Sequence, residues 1–147
     1  MEVILHDISK NYGSNKVLKE FSKSFDSGKR YGLLGRNGSG KTTLLKIISG
    51  LVLQDSGQIT FKDFSEERAV AYIDSNTRSF YQRLSPYENL VFYGALNNLS
   101  IEDIDELLDP FFSSFDLSTF KNKPVNKHSL GQVQLLNLIR GFLIKPN

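Results

Sequence analysis

The sequence predicts an α/β fold, and three observations carry that prediction. Short runs of β character, separated by turns that contain glycine, fill much of the chain from Val3 to Ile73. A glycine-rich loop at Gly35–Thr42 stands between one of these runs and an amphipathic helical run. From about Ser75 the apolar residues recur at helical spacing. A β-rich part that carries the loop, followed by a helical part, is typical of an α/β domain with an α-helical subdomain.

Five runs have β character. In the second of them apolar residues recur among polar ones, and Leu18, Phe21 and Phe25 are expected to face inward. Polar turns at 11–15 and 26–28 separate the first three runs, and both turns contain glycine. The predicted strands are Val3–Ile8, Leu18–Phe25, Arg30–Leu34, Gly57–Phe61 and Ala69–Ile73.

Four helices are predicted from their start signals and their apolar spacing. The first, Thr42–Ser49, has a broad apolar face, and Gly50 stands where a helix commonly ends. The other three begin where a serine is followed three residues later by an acid or a glutamine, which is the signature of a capping box. These starts are Ser85–Glu88, Ser100–Asp103 and Ser129–Gln132.

The composition argues against several classes of protein. A net charge of +2 over 147 residues gives no electrostatic sign of a nucleic-acid partner. The chain has no cysteine and therefore no disulfide, and no uncharged apolar stretch is long enough to span a bilayer. Acidic residues within the first seven positions do not fit a secretory signal. We expect a cytosolic protein that meets a membrane only through a partner.

The loop Gly35–Thr42 has the spacing G-x-x-x-x-G-K-T, the phosphate-binding pattern called the P-loop. Its glycines let the backbone turn at positive φ and bring N–H groups close to phosphate oxygens, and the start of the next helix favours an anion. Lys41 would reach the β- and γ-phosphates of ATP, and the Thr42 hydroxyl would hold Mg²⁺. A chance match is disfavoured because the pattern stands between a β run and a helix. The residues predicted to bind the phosphates are Gly35, Asn37, Gly38, Ser39, Gly40, Lys41, Thr42 and Thr43.

The residues around the P-loop narrow the choice of family. The run Gly32–Leu45, followed by Ser49–Leu51 and Asp55–Gly57, resembles the ATP-binding-cassette ATPases, the nucleotide-binding subunits of ABC transporters. Two further segments, Ile8–Gly13 and Leu84–Leu90, resemble that family in the right order. The resemblance covers essentially the whole chain. It implies a P-loop domain of ABC type with an N-terminal antiparallel β subdomain and an α-helical subdomain.

The resemblance also assigns two residues of the nucleotide site outside the P-loop. Tyr12 takes the place of the aromatic residue that stacks on adenine, although the plainer interpretation is an aromatic residue beside a turn. Ser75 takes the place of a glutamine that in the family touches Mg²⁺ and signals to the membrane subunits. Serine has a shorter reach than glutamine, which places coupling and hydrolysis in question.

The string Ser129, Leu130, Gly131 and Gln132 resembles the signature motif of the family, with Leu130 in place of the usual first glycine. In the family this motif meets the γ-phosphate of ATP held by the opposite subunit. A serine hydroxyl, a glycine N–H and a helix N-terminus suit that anion. The plainer interpretation is a capping box, which explains the serine and the glutamine equally well.

The expected organisation follows the family. Residues 1–74 would form the β subdomain with the P-loop core, 75–128 the helical subdomain, and 129–147 the signature motif with its helix. Two such subunits would pair head to tail around two ATP molecules and drive transmembrane transporter subunits. That arrangement implies a peripheral position on the cytoplasmic face of a membrane.

The resemblance implies further catalytic groups beyond the sequence in hand. Family members continue after the signature helix into an apolar strand that ends in Asp-Glu, and then to a switch histidine. That strand would begin at about Asn147, so we expect residues 1–147 alone to lack these groups and to bind ATP without hydrolysing it. A non-hydrolysing nucleotide binder therefore stays open as an alternative. A second alternative is a small P-loop kinase with Asp74 near the metal, but the arginine-rich lid that it predicts is missing from the sequence.

Overall fold

The computed structural model describes residues 2–63, 70–74, 79–114 and 121–143, with the backbone alone at 112 and 114. The chain divides into two compact units, Met1–Tyr72 and Ile73–Pro146, called here the N-terminal unit and the C-terminal unit. None of the described helices is long and apolar enough to cross a membrane.

The N-terminal unit contains a three-stranded antiparallel sheet and one helix. Its strands lie in the order β2-β1-β3, and their pairing confirms the predicted antiparallel β subdomain. Tyr12 pairs with Asn15, so a two-residue turn closes the β1–β2 hairpin. The elements are β1 (Glu2–Tyr12), β2 (Asn15–Asp26), α1 (Lys41–Ile48) and β3 (Ser56–Lys62).

The helix α1 packs on this sheet through its apolar face. Leu44 and Ile47 of α1 are buried against Leu5 and Ile8 of β1 and Leu18 of β2. Burial of a side chain of this size stabilises a fold by about 1.5–3 kcal/mol. The packing therefore fixes the start of α1, where the P-loop ends, relative to the β1–β2 hairpin.

The end of α1 is set by Gly50, as the sequence predicted. Gly50 has a φ of +75°, and its N–H bonds to the Ile47 carbonyl at 3.1 Å. The next N–H, of Leu51, bonds to the Lys46 carbonyl at 2.9 Å. These two bonds form a Schellman motif, which requires a residue that tolerates the left-handed conformation.

Two of the five predicted strands are wrong for the residues that the structure describes. Arg30–Leu34 and Val70–Ile73 have no regular secondary structure. A strand needs a hydrogen-bonded neighbour, and in the described part of the chain only β1, β2 and β3 pair. Leu34 is correspondingly 93% exposed.

The C-terminal unit is helical, and its helix starts confirm the three predicted capping boxes. Ser85 and Glu88 exchange both bonds of the box, and Ser100 with Asp103 and Ser129 with Gln132 do the same. Its core is formed by buried apolar residues from all three helices. The elements are α2 (Pro86–Leu96), α3 (Ile101–Ser114), a 3₁₀ turn at Val125–Lys127 and α4 (Leu130–Leu143). The core residues are Phe80, Leu90, Ile104, Leu108, Val125, Val133, Leu136, Ile139 and Leu143.

Candidate nucleotide-binding site

The P-loop makes a tight turn directly before α1. The Ser39 N–H bonds to the Arg36 carbonyl at 3.2 Å. Gly38 and Gly40 have φ values of +81° and +88°, a conformation that side-chain-bearing residues adopt at a cost of about 1–2 kcal/mol. The loop therefore needs glycine at both positions for its backbone path.

Gly40 is required for space as well as for conformation. A Cβ atom at this position would lie 2.9 Å from the Val17 carbonyl oxygen and 3.0 Å from the Leu18 Cδ2 atom. At Gly38 nothing lies within 4 Å of the corresponding point. Gly40 thus sits directly against β2, and this contact fixes the position of the loop on the sheet.

The start of α1 presents backbone donors to the loop. The first N–H groups of a helix have no partner within the helix. Gly40, the residue before α1, provides no side-chain cap, and the first turn of α1 contains no acid. The N–H groups of Lys41, Thr42 and Thr43 are therefore suited to an anion, which the helix dipole also favours.

The Lys41 ammonium lies inside the loop. It donates to the Gly35 carbonyl at 2.8 Å and to the Arg36 carbonyl at 2.7 Å. An ammonium has three donors, so these two contacts leave capacity for an anion. Because the contacts are to neutral carbonyls, a phosphate oxygen would compete for the ammonium with a stronger, charge-assisted bond.

The remaining polar side chains of the loop are accessible. Asn37, Ser39 and Thr42 are exposed, and Thr43 is half-buried. No cluster of three or more His, Cys, Asp or Glu side chains suited to a metal occurs among the described residues. A Mg²⁺ ion that uses the Thr42 hydroxyl would therefore take its other ligands from phosphate oxygens, water or residues outside the described part, a set that Mg²⁺ accepts.

Tyr12 lies at the same end of the β hairpin as the P-loop. It pairs with Asn15, and Val17, which touches Gly40, is two residues further along β2. Two residues of a strand span about 7 Å. Tyr12 is 50% exposed, and the Lys10 Nζ atom lies 5.7 Å from the centroid of its ring. The hairpin register thus brings the predicted adenine contact and the predicted phosphate loop together.

The predicted signature motif opens α4 in the C-terminal unit. The Ser129 oxygen accepts the Gln132 N–H at 3.3 Å, while the Gln132 side-chain oxygen accepts the Ser129 N–H at 2.9 Å. Leu130 is 65% exposed, and a Cβ atom at Gly131 would meet nothing within 4 Å. The capping role is therefore confirmed, and the exposed face of the motif carries no packing that would explain its glycine.

Ser75, predicted at the glutamine position, lies outside the described residues. On one side of it the Asp74 carbonyl accepts a bond from the Asn137 amide, and on the other the Ser79 hydroxyl accepts one from Arg140 at 2.9 Å. Both donors belong to α4. The helix that follows the signature motif therefore holds both flanks of segment 75–78.

Arg140 has further structural contacts that its position in the sequence does not reveal. Its guanidinium lies 4.6 Å from the Phe80 ring centroid and 4.7 Å from the Tyr93 ring centroid. Contacts of this kind contribute about 0.5–2 kcal/mol each. Arg140 is thus a packing residue of the C-terminal unit.

Asp55 is a further residue of this region for which the sequence predicts no role. Its carboxylate binds Lys10 and Asn11, the two residues before Tyr12. These bonds hold the pKa of Asp55 below its usual value, first through the Lys10 hydrogen bond and then through the Asn11 N–H. The only sequence signal was its place in the run Asp55–Gly57, because its partners are more than forty residues away in the chain.

Known proteins of one family are similar to this chain in sequence and fold. The profile described as ABC transporter matches residues 18–147. YdbJ of Bacillus subtilis (strain 168), described as an uncharacterized ABC transporter ATP-binding protein, is 36% identical over 154 aligned positions, which cover 99% of this chain and 49% of that protein. The tungstate uptake system ATP-binding protein TupC of Peptoclostridium acidaminophilum is 30% identical, over 99% of this chain and 69% of that protein.

The fold agrees with these relatives. A solved structure described as the ATP-binding subunit of an ABC transporter has a TM-score of 0.82 and 27% identity, and the match covers 99% of this chain and 63% of that one. The chain spans about half the length of YdbJ, at 49%. The profile match spans residues 18–147, a range that includes 35–42 and 129–132, and it gives the small-kinase alternative no support. On the agreement of sequence profile, relatives and fold, this chain belongs to the ABC transporter family.

Proposed function

We propose that this chain is the ATP-binding part of an ABC transporter and binds Mg-ATP through Gly35–Thr43. The observation that supports it most is the P-loop itself, with two left-handed glycines, an uncapped helix start and a lysine aimed into the loop. The names of YdbJ and TupC, both ATP-binding proteins, support the same function.

In this proposal each group of the N-terminal unit has a separate task. The N–H groups around Gly40 hold phosphate oxygens, and Lys41 moves from the Gly35 and Arg36 carbonyls to the β- and γ-phosphates. The Thr42 hydroxyl holds Mg²⁺, which neutralises phosphate charge when it is bound. The Tyr12 ring stacks on adenine.

The signature string supplies the proposed contact to a second subunit. In a head-to-tail pair, Ser129 and the Gly131 N–H would meet the γ-phosphate bound to the partner's P-loop. The Ser129 oxygen already accepts the Gln132 N–H, so its hydroxyl proton is the group that can be donated to a phosphate. Leu130 would then stand exposed at the interface.

We further propose that the whole protein hydrolyses ATP and passes the resulting motion to transmembrane subunits from the cytoplasmic face of a membrane. TupC belongs by name to a tungstate uptake system, which is consistent with a transport role for this chain but does not identify its cargo. The net charge of +2 gives no reason to add a nucleic-acid partner.

The test is the ATP affinity of a Lys41→Ala variant. Loss of a charge-assisted bond to phosphate is expected to weaken binding at least about tenfold, with the fold unchanged by circular dichroism. Lys46→Ala, at the other end of the same helix, is the matched control and should bind ATP as the unaltered protein does. Undiminished ATP affinity in folded Lys41→Ala protein would remove the P-loop assignment.

A further inference from the structure

We propose that Asp55 is a positioning residue for the adenine contact, because it clamps the end of β1 that carries Tyr12. The proposal deepens the function proposed above and depends on it for the stacking role of Tyr12. Asp55 itself does not contact the nucleotide.

The clamp consists of four hydrogen bonds from one residue to three consecutive residues. The Asp55 carboxylate accepts bonds from Lys10 Nζ at 2.7 Å, from the Asn11 N–H at 2.7 Å and from Asn11 Nδ2 at 3.1 Å. The Asp55 N–H donates to the Ser9 carbonyl at 2.9 Å. All three partners directly precede Tyr12 in the chain.

The clamp lies where the pairing between β1 and β3 ends. The last pair of β1 with β3 is Ser9 with Ser56, so the rest of β1 is paired with β2 alone. The β1–β2 register also shifts on both sides of Lys10, which marks an irregular ladder. Asp55 lies one residue before β3, and its side chain bonds to the part of β1 that no longer pairs with β3.

The start of β3 is fixed relative to β1 by a close backbone contact at Gly57. Gly57 has a φ of +90°, and a Cβ atom there would lie 2.4 Å from the Asp7 carbonyl oxygen and 2.5 Å from that of His6. Only glycine permits this approach of β3 to β1. The backbone that carries Asp55 therefore has little freedom relative to β1.

Lys10 links the clamp to Tyr12, because its ammonium contacts both the Asp55 carboxylate and the Tyr12 ring. Its ammonium is bound by Asp55 and lies 5.7 Å from the ring centroid, within the range of a cation–π contact. The Lys10 side chain is only 16% exposed, so the ion pair is partly withdrawn from water. Lys10 thus supports the Tyr12 ring, while Tyr12 stays half-exposed and can receive a flat base.

The test compares ATP with inorganic tripolyphosphate, which has the phosphates but no base. In Asp55→Ala protein we expect ATP to bind about three- to tenfold more weakly, since part of a stacking contact is lost, while the affinity for tripolyphosphate stays unchanged. Tyr12→Ala should show the same selectivity, and the double variant should be no worse than Tyr12→Ala. Asp55→Asn, which keeps the shape of the side chain, should show a smaller loss in the same direction.

Asp26→Ala is the matched control. Asp26 also binds a lysine, with 2.6 Å between its Oδ2 atom and Lys29 Nζ, but it pairs with Glu2 at the far end of the hairpin. It should bind both ligands as the unaltered protein does. A second readout uses the absence of tryptophan from the chain: in a Tyr12→Trp protein, adding Asp55→Ala should lower the fluorescence anisotropy of the single tryptophan, and adding Asp26→Ala should not.

Four outcomes would overturn the proposal, and each has a different meaning. Equal losses for ATP and tripolyphosphate would show a general structural role for Asp55. Normal ATP binding in Asp55→Ala beside a weakened Tyr12→Ala would remove Asp55 and leave the proposed function standing. Normal ATP binding in Tyr12→Ala, or none in the unaltered protein, would remove the adenine contact or the proposed function itself.

Discussion

At the scale of single residues, the glycines of the P-loop and of the predicted signature motif differ in the reason for their presence. Gly40 combines a left-handed φ with a close contact to the Val17 carbonyl, whereas Gly38 has the φ alone. Gly131 has neither, since its φ is not positive and the space around it is open. Structure therefore requires glycine at 40, favours it at 38 and gives no reason for it at 131.

This difference predicts a ranked series of alanine substitutions. Gly38→Ala should lower the free energy of unfolding by about 1 kcal/mol, for the φ alone, and Gly40→Ala by at least about 2 kcal/mol, since the backbone of β2 must also shift. Gly131→Ala should leave stability unchanged or raise it by up to about 1 kcal/mol, because alanine favours a helix. Urea denaturation of the three purified variants measures the order. An equal loss of unfolding free energy in Gly38→Ala and Gly40→Ala would show that the contact of Gly40 with Val17 does not affect stability.

At the scale of elements, the start of α2 depends on a buried amide that holds the preceding turn. Asn89 is fully buried, and its Oδ1 atom accepts the Tyr81 N–H at 2.8 Å. Its Nδ2 atom donates to the Tyr81 carbonyl at 3.1 Å and to the Ser85 carbonyl at 3.0 Å. With a longer bond to the Leu84 carbonyl at 3.5 Å, one side chain thus contacts four backbone groups where the chain enters the helix.

We expect Asn89→Ala to lower the free energy of unfolding by about 2–4 kcal/mol, because the Tyr81 N–H loses its partner and the buried amide leaves a cavity. The Tyr81 and Ser85 carbonyls keep their backbone bonds from the Leu84 and Asn89 N–H groups. Asn89→Asp should be no better, since it replaces the donating amide by an oxygen that faces two carbonyls. The exposed Asn126 provides the control, and its alanine variant should change stability by less than about 0.5 kcal/mol. Thermal melting of the three variants decides the matter, and a wild-type melting temperature for Asn89→Ala would contradict the assigned role.

Among the elements, features set by neighbouring residues could be predicted from the sequence, and features that depend on distant residues could not. Capping boxes and the Gly50 helix end are set by residues within a few positions of one another, so their patterns predicted them correctly. The strand at Arg30–Leu34 was predicted from its apolar run, but a strand also needs a neighbour, and no described residue pairs with it. The Asp55 clamp and the Asn137 bond to Asp74 join residues 44 and 63 positions apart, and no local pattern contains such pairs.

The candidate nucleotide site likewise combines a local feature, which the sequence predicted, with long-range contacts, which it could not show. Its phosphate loop is one continuous segment with a fixed spacing, so the sequence predicted its turn and its glycines. Tyr12 was predicted from a family resemblance alone, and its place beside the loop became visible only through the hairpin register. The order of residues cannot show that Val17 touches Gly40, because the contact depends on how α1 packs on the sheet.

At the scale of the whole molecule, both units contain carboxylates whose pKa values are lower in the folded protein than in the unfolded chain. The pKa of Asp26 is lowered by its hydrogen bond to Lys29, that of Asp55 by its bond to Lys10, and that of Glu88 by the Ser85 N–H. A depressed pKa contributes stability above the unfolded value, which is 3.8 for an aspartate, and this contribution is lost as the pH falls through the folded value.

Stability should therefore be nearly constant from about pH 5 to 8 and fall below about pH 4, where these groups take up protons. General repulsion acts in the same direction, because protonation of the 16 acids takes the net charge from +2 toward +18. Salt screens that repulsion but affects the short ion pairs less, so the two causes separate when urea midpoints are measured at low and high ionic strength. A double variant, Asp26→Asn with Asp55→Asn, should be less stable than the unaltered protein at pH 7 and should lose less on going to pH 3. An equal acid loss in both proteins at high salt would show that neither aspartate contributes, and that repulsion or other carboxylates unfold the molecule.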